Sequence, residues 1–459
     1  MVEKIRTIKR KKYGLIALII LASLSILACF YPAVHPEATE PMNTGNVAWM
    51  LTATALVLFM TPGLSFFYGG MVKAKNIIST MLQSFIALGI VSILWYVVGF
   101  SLAFGDSIGG IIGNPMTFFM FDNVGTQNHP VIASGIPLAL YAVFQMKFAI
   151  ITPALVTGSF AERVRFWSYL LFICLFTLFI YCPLAHWIWH PQGFLAKMGA
   201  LDFAGGAVIH LSAGIAGLAG AIVLGRRKSH VNGENHFPVN IPYVLLGTGL
   251  LWFGWFGFNA GSALGASSQA LTAFLNTNMA SASAMLAWIL FDAAKGRKAS
   301  ALGACIGAVV GLATITPAAG YISFGPSILI GAFAAIVSNM VVHWKSKSTL
   351  DDTLDVFPCH GVGGILGMLA TGVFATNGGL ITGSTNLFWA QLITIVVVIA
   401  FTFLGSILIY KAINLITPLR VSEEHETLGL DISQHKESIY ETISPESNRT
   451  NFQKQISAI

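Results

Sequence analysis

Uncharged apolar runs alternate along this chain with short polar connections, and eleven such runs follow the N-terminal region. They begin near Asn46, Asn76, Pro137, Phe166, Phe203, Ile241, Leu271, Ala299, Tyr321, Phe357 and Leu387. Each holds about 18–25 residues, the length a helix needs to cross roughly 30 Å of hydrocarbon. Lipid offers no partner to a backbone amide, so such runs must close their own hydrogen bonds as helices. The pattern therefore predicts an all-α integral membrane protein with eleven transmembrane helices.

Charge in the connections sets a direction. One alternate set of loops carries Lys73, Lys75, Arg163, Arg165, Arg226, Arg227, Lys228, Lys295, Arg297, Lys298, Lys345 and Lys347; the other carries only Lys197. Basic loops stay in the cytoplasm, so the first span is expected to start outside and the C-terminal tail to lie inside. Composition agrees: of 459 residues 55% are hydrophobic and 10% charged, against roughly 25% charged in a soluble domain. The net charge of +6 is then a topology signal and no argument for a nucleic-acid partner. Cys29, Cys174, Cys182, Cys305 and Cys359 are scattered, with neither metal spacing nor a disulfide framework.

Three regions follow. Residues 1–40 have the order of a signal peptide or uncleaved signal anchor: a basic stretch from Lys4 to Lys12, then an apolar one from Gly14 to Tyr31. Ile26-Leu-Ala-Cys29 loosely resembles a lipoprotein cleavage box. Residues 46–418 form the membrane domain. Residues 419–459 form a cytoplasmic tail, polar from Val421 and, from Ser444 onward, rich in Ser and Asn and expected to be mobile.

The membrane domain contains a repeat. Asp202 precedes His210 by eight positions and Asp352 precedes His360 by eight. Glycines follow each histidine at plus four and plus seven: Gly214 and Gly217, Gly364 and Gly367. Five spans separate the copies, an odd number, so the second crosses in the opposite direction. Two inverted five-helix repeats plus a final helix are expected, with functional groups near the midplane. An ionisable side chain inside a span is costly and marks function by default. Neutral imidazole donates through one nitrogen and accepts through the other, which suits a path for a small polar molecule.

Other residues are more equivocal. Asp202 reads as a structural and electrostatic acid that caps backbone at a helix start; Asp352 and Asp355 have the same reading. The aromatics of Phe144-Gln-Met-Lys-Phe148, Trp187-Ile-Trp189 and Trp252 to Phe258 suit interfacial belts and helix packing as well as a site. His186 and His190 are four apart, but no third ligand accompanies them, and no metal or cofactor is expected. Lys147, within a span, is open to snorkelling, an acidic partner or a subunit neighbour.

These motifs closely resemble the ammonium transporter family (Amt/Mep/Rh), in its bacterial Amt branch. The resemblance is carried by Asp202-Phe-Ala-Gly-Gly-Ala-Val-Ile-His210, Gly254-Trp-Phe-Gly-Phe-Asn-Ala-Gly-Ser262 and Asp355-Val-Phe-Pro-Cys-His360-Gly. Phe160-Ala-Glu-Arg-Val-Arg-Phe166, Leu419-Arg-Val-Ser-Glu-Glu and Glu426-Thr-Leu-Gly-Leu-Asp431 add to it, so it runs from about Asn46 to about Tyr440. It implies a non-enzymatic homotrimer in the bacterial inner membrane, with one conduction path per subunit and a PII-type signal protein as cytoplasmic partner. It also implies that His210 and His360 line the pore and that Phe148 and Phe258 form a stacked gate. Trp189, Phe148 and Ser262 would recruit ammonium, with Phe144 beside the gate and Trp255 below it. The segment from Trp189 to Asp202 is one residue longer than the family's best-known pattern.

Three alternatives compete with conduction. A sensor would bind ammonium and signal through the tail with little flux. A haem oxidoreductase could ligate iron between facing histidines, but basic residues for the propionates are missing from the spans. Alternating access would call for broken helices in pairs, which the pattern does not display.

Overall fold

The computed structural model describes residues 2–39, 41–234 and 237–439; the Ser- and Asn-rich end from Ser444 lies outside them. The chain is mostly helical. After helix α1 (Val2–Phe30) come α2 (Thr44–Met71), α3 (Ala74–Phe104), α4 (Leu138–Phe160), α5 (Phe166–Lys197) and α6 (Gly206–Leu224). Then follow α7 (Ile241–Gly261), α8 (Ser268–Ala294), α9 (Ala301–Ile315), α10 (Phe324–Ser346), α11 (Phe357–Phe374) and α12 (Asn386–Ile416). Among the described residues ten of these, α2 to α8 and α10 to α12, are long and apolar enough to cross a membrane. Each begins within three residues of its expected start.

The eighth expected span is α9, and it differs. It holds 15 residues, which at 1.5 Å per residue reach only about 22 Å. The physical cause is Pro317, just past its end: the carbonyl of Pro317 accepts from Phe203 N at 3.2 Å, and the ring lies where a side chain on Gly206 or Gly367 would have to go. The helix stops early and its exit seats the irregular start of α6.

Local chemistry explains other boundaries. Asn43, Asn240, Ser267 and Ser300 each accept a first-turn N–H as N-caps of α2, α7, α8 and α9. The loop between α3 and α4 carries two small hairpins, Ser107–Ile108 with Ile112–Gly113 and Asn128–His129 with Ala133–Pro137, so the fold is not purely helical. Onto this loop the chain lays the segment following α1. Val34 N donates to Asp122 Oδ1 at 2.7 Å, Asn123 N to Val34 O at 2.8 Å and Thr126 N to Pro36 O at 2.9 Å, while Tyr31 sits edge-on to Phe119.

Helices α6 and α11 cross at the centre. A side chain on Gly214 would collide with the backbone of Gly361, and one on Gly364 would come within 2.7 Å of Leu211 N. Small residues permit that approach. The two helices run antiparallel. The chain enters α6 from the side of Trp189 and Tyr321, whereas it enters α11 from the side of Arg163, Arg227 and Lys345.

That second side is the basic face, held by buried ion pairs. Arg227 meets Glu162 at 2.7 Å and Asp351 at 2.8 Å. Buried Arg163 donates to the carbonyls of Ser159 and Asp351 and to Thr353 Oγ1. The chain after α12 docks here. Asp431 accepts from Ile78 N and Ser79 N, Leu430 N donates to Asn76 Oδ1, and Glu426 takes Lys228 N and Arg420.

Candidate functional site

On the face opposite the basic one lies a cavity of about 250 Å³, lined by Phe144, Gln145, Phe148, Trp189, Asp202 and Ser262 among others. Its aromatics stand in sequence. Phe144 and Phe148 are edge-to-face at 4.8 Å, and Phe148 is edge-on to Trp189 at 6.0 Å. Ser262 Oγ donates to Phe258 O at 2.9 Å. Trp189 Nε1 donates to Asp202 O at 2.9 Å, so the extra residue between them does not pull the indole away from the cavity.

The floor of the cavity is closed by two rings. Phe148 and Phe258 approach to 4.4 Å between centroids, tilted by 41°. Both are buried. Beyond them a cavity of about 10 Å³ is bounded by Trp255, Phe258, His210 and His360 with Met60 and Leu251. Another of about 10 Å³ continues past His360 toward the basic face, between Phe67, Tyr68, Met71 and Ile306. Each has room for about one water-sized molecule.

Three rings gather around His210 in this passage. His210 lies 5.9 Å from Phe258, 5.3 Å from Trp255 and 5.3 Å from His360, all within 26° of parallel. Trp255 is anchored by Nε1, which donates to Thr316 Oγ1 at 2.9 Å. Among the described residues neither ring nitrogen of His210 has a hydrogen-bond partner, nor does Nδ1 of His360. Buried polar atoms are nearly always paired, and an unpaired one costs about 1–3 kcal/mol. Imidazoles left unpaired in a water-sized passage can bind a small molecule that donates and accepts hydrogen bonds.

The backbone explains how the histidines reach this place. Each sits in a π-helical turn, Gly206–Leu211 and Phe357–Gly361. His210 N reaches back five residues to Gly205 O at 3.0 Å. Single π turns are frequent at functional sites. The acids start both turns. Asp202 accepts from the N–H groups of Gly205, Gly206, Ala207 and Val208 at 2.6–3.1 Å, and Asp352 from Val356 and Phe357. Burial pushes the Asp202 carboxyl above its ordinary value, and the four N–H groups pull against it. Gly205 has φ +117°, open to glycine alone, while Asp355 bends the chain at φ +59° and pairs with Lys345 at 2.5 Å.

Phe144, Phe148, Trp189, Ser262 and Asp202 thus share the wide cavity, and Phe258, Trp255, His210 and His360 line the narrow passage. The His186/His190 pair lies apart. Its rings stack at 4.5 Å, and both nitrogens of His186 are engaged, by Ser107 Oγ at 2.8 Å and Ala103 O at 2.9 Å. Lys147 is half-buried, its ammonium 3.8 Å from Met146 Sδ, and forms no salt bridge among the described residues. Sequence reasoning passed over Thr316 and Gln145. An amide between two aromatics of an apolar span was the available signal for Gln145; nothing pointed to Thr316.

The chain is similar to known proteins along most of its length. The sequence model of the Ammonium Transporter Family matches residues 48–440. An ammonium transporter of Aquifex aeolicus is 44% identical over 427 residues, covering 92% of this chain and 99% of that protein. The crystal structure of Saccharomyces cerevisiae Mep2 superposes with a TM-score of 0.79 at 35% identity, over 83% of this chain and 88% of Mep2. A solved structure described as a sensor Amt protein does so with a TM-score of 0.79 at 29% identity, over 85% of this chain and 98% of its own.

Proposed function

Because this chain belongs to the ammonium transporter family, we propose the following path for the ammonium it transports: recruitment as the cation in the wide cavity, loss of a proton near Phe148 and Phe258, and passage as ammonia past His210 and His360. The observation that carries the path is the three ring nitrogens, both of His210 and Nδ1 of His360, that lack a partner among the described residues in a water-sized apolar passage.

Energetics decide between carrying the cation and carrying the neutral molecule. Trp189, Phe148 and Phe144 offer cation–π attraction worth about 2 kcal/mol or more once desolvated. Stripping an ammonium-sized ion of water costs on the order of 20 kcal/mol in the idealised limit, and several after relaxation. The aromatics select the cation at the mouth but do not offset its transfer. Neutral ammonia costs about 2–7 kcal/mol unpaired, and less when it bonds to imidazole. Passing the proton along the histidines separately makes transport electrogenic. Potassium has no proton to lose and stays outside.

The frame around the path is part of the same reading. Eleven crossings, with α9 as the eighth, put the N-terminal end of the membrane domain outside and the basic face in the cytoplasm. A homotrimer in a bacterial inner membrane, a leader in residues 1–40 and a PII-type signal protein at the docked tail follow from the family resemblance. The same tail, bonded to the start of α3, favours one second reading, a sensor with little flux.

Transient currents from the purified protein in proteoliposomes on a solid support test the proposal. Ammonium pulses should give a current and potassium pulses none. No current with either, together with no change of internal pH in the same vesicles, would favour the sensor.

A further inference from the structure

We propose that Gln145 is a further ammonium-binding residue of the wide cavity, its side-chain oxygen accepting an N–H of the cation. The inference rests on reading that cavity as the recruitment site. Gln145 lies on α4 between Phe144 and Phe148 and lines the same cavity. It is 8% exposed. Its amide nitrogen donates to Tyr141 Oη at 3.2 Å, which commits the donor end of the group. The acceptor end, Oε1, is buried and has no hydrogen-bond partner among the described residues. A buried amide oxygen without a donor is costly, and the cavity is where a donor can be supplied.

Ammonium meets that need in a way potassium does not. It is a tetrahedral donor with four N–H groups, so one face can rest on aromatic rings while other hydrogens point at oxygens. Ser262 offers one oxygen, because its own hydrogen is spent on Phe258 O. Gln145 offers another, with its orientation set by Tyr141. Two directional acceptors on residues that line one cavity favour a donor cation over a spherical one of similar size. Gln145 thus adds selectivity at the mouth, before any deprotonation.

Solid-supported currents on the full chain test this by separating half-saturating ammonium from the saturating current. Gln145→Met keeps the volume and removes the acceptor. It should raise half-saturating ammonium roughly tenfold, as expected for losing a hydrogen bond to a charged group, and leave the saturating current unchanged. Gln145→Glu keeps an acceptor and adds charge, so half-saturation should fall; this variant carries the test should Gln145→Met not reach the membrane. Half-saturation unmoved in the variants that assemble would overturn the proposal. Trp189→Leu separates the two levels of the argument. A shift in Trp189→Leu without one at Gln145 removes only the role of Gln145, whereas no shift in either removes the recruitment reading as well.

Discussion

The indole nitrogen of Trp189 donates to the main-chain oxygen of Asp202 at 2.9 Å, and the carboxylate of the same aspartate accepts four N–H groups of the turn that leads to His210. One residue therefore couples the aromatic mouth to the passage below. Its backbone holds the ring and its side chain shapes the helix that carries the imidazole.

That coupling makes Asp202 more than a local cap. Asp202→Ala leaves the four N–H groups buried without an acceptor, each such loss costing about 1–3 kcal/mol. The variant should unfold at distinctly lower temperature in detergent, followed by tryptophan fluorescence, and should lose ammonium current. An Asp202→Ala protein with unchanged thermal stability would mean that the hydrogen bonds are not what supports the turn.

His210 should carry selectivity and not stability. Its ring nitrogens have no partner among the described residues, so replacement breaks no side-chain hydrogen bond there. His210→Asp puts a charge in the apolar passage and should let potassium currents appear beside ammonium currents, at a cost in stability, whereas the apolar, ring-retaining His210→Phe should change the unfolding temperature little. Retained exclusion of potassium would count against the histidines as the selective element.

The close crossing of α6 and α11 sets a third expectation. A methyl group at Gly214 would have to occupy the space of the Gly361 backbone, and overpacking of this kind costs typically about 1–3 kcal/mol. Gly214→Ala should lower thermal stability and displace the His210/His360 stack, which circular dichroism melts and ammonium currents would register together. Gly249, whose surroundings are open, is the control, and Gly249→Ala should be silent in both.

On the basic face, pH dependence follows from Asp351. Burial alone would raise its carboxyl, but Arg227, which it meets at 2.8 Å, and Arg163 hold it well below the ordinary carboxylate value. A depressed carboxyl stabilises the fold fully above its unfolded value, about 3.9, and the contribution disappears as pH falls through the folded value. Stability should therefore drop on acidification below about pH 4. In Asp351→Asn that dependence should weaken, while stability at neutral pH is already lower because Arg227 loses its partner. A variant with wild-type stability at neutral pH would show the pair to be dispensable.

Span positions were legible because lipid imposes a length and an apolar composition on a crossing, which is why α2 to α12 each start within three residues of expectation. The 150-residue separation of the Asp–His frames was enough to pair His210 with His360 and to infer opposed directions. Periodicity does not encode the π turns. The two that carry His210 and His360 start where a carboxylate gathers N–H groups, as Asp202 and Asp352 do, and the first also needs the backbone of Gly205, which is closed to other residues. Nor did the sequence disclose the docking of residues 31–38 on the loop near Asp122, because most of those contacts engage backbone groups of a segment about 90 residues away, which no side-chain pattern records.

The division has one cause. What depends on a segment meeting a uniform solvent, such as span length, apolar character and charge asymmetry between loops, is written locally and was determined by the sequence alone. What depends on which surfaces touch was decided only by the tertiary structure: the early end of α9 at Pro317, the hold of Thr316 on Trp255, the unspent acceptor of Gln145 and the stacking of two imidazoles. Each involves atoms from separate helices whose approach is set by packing, and packing is a property of the whole chain.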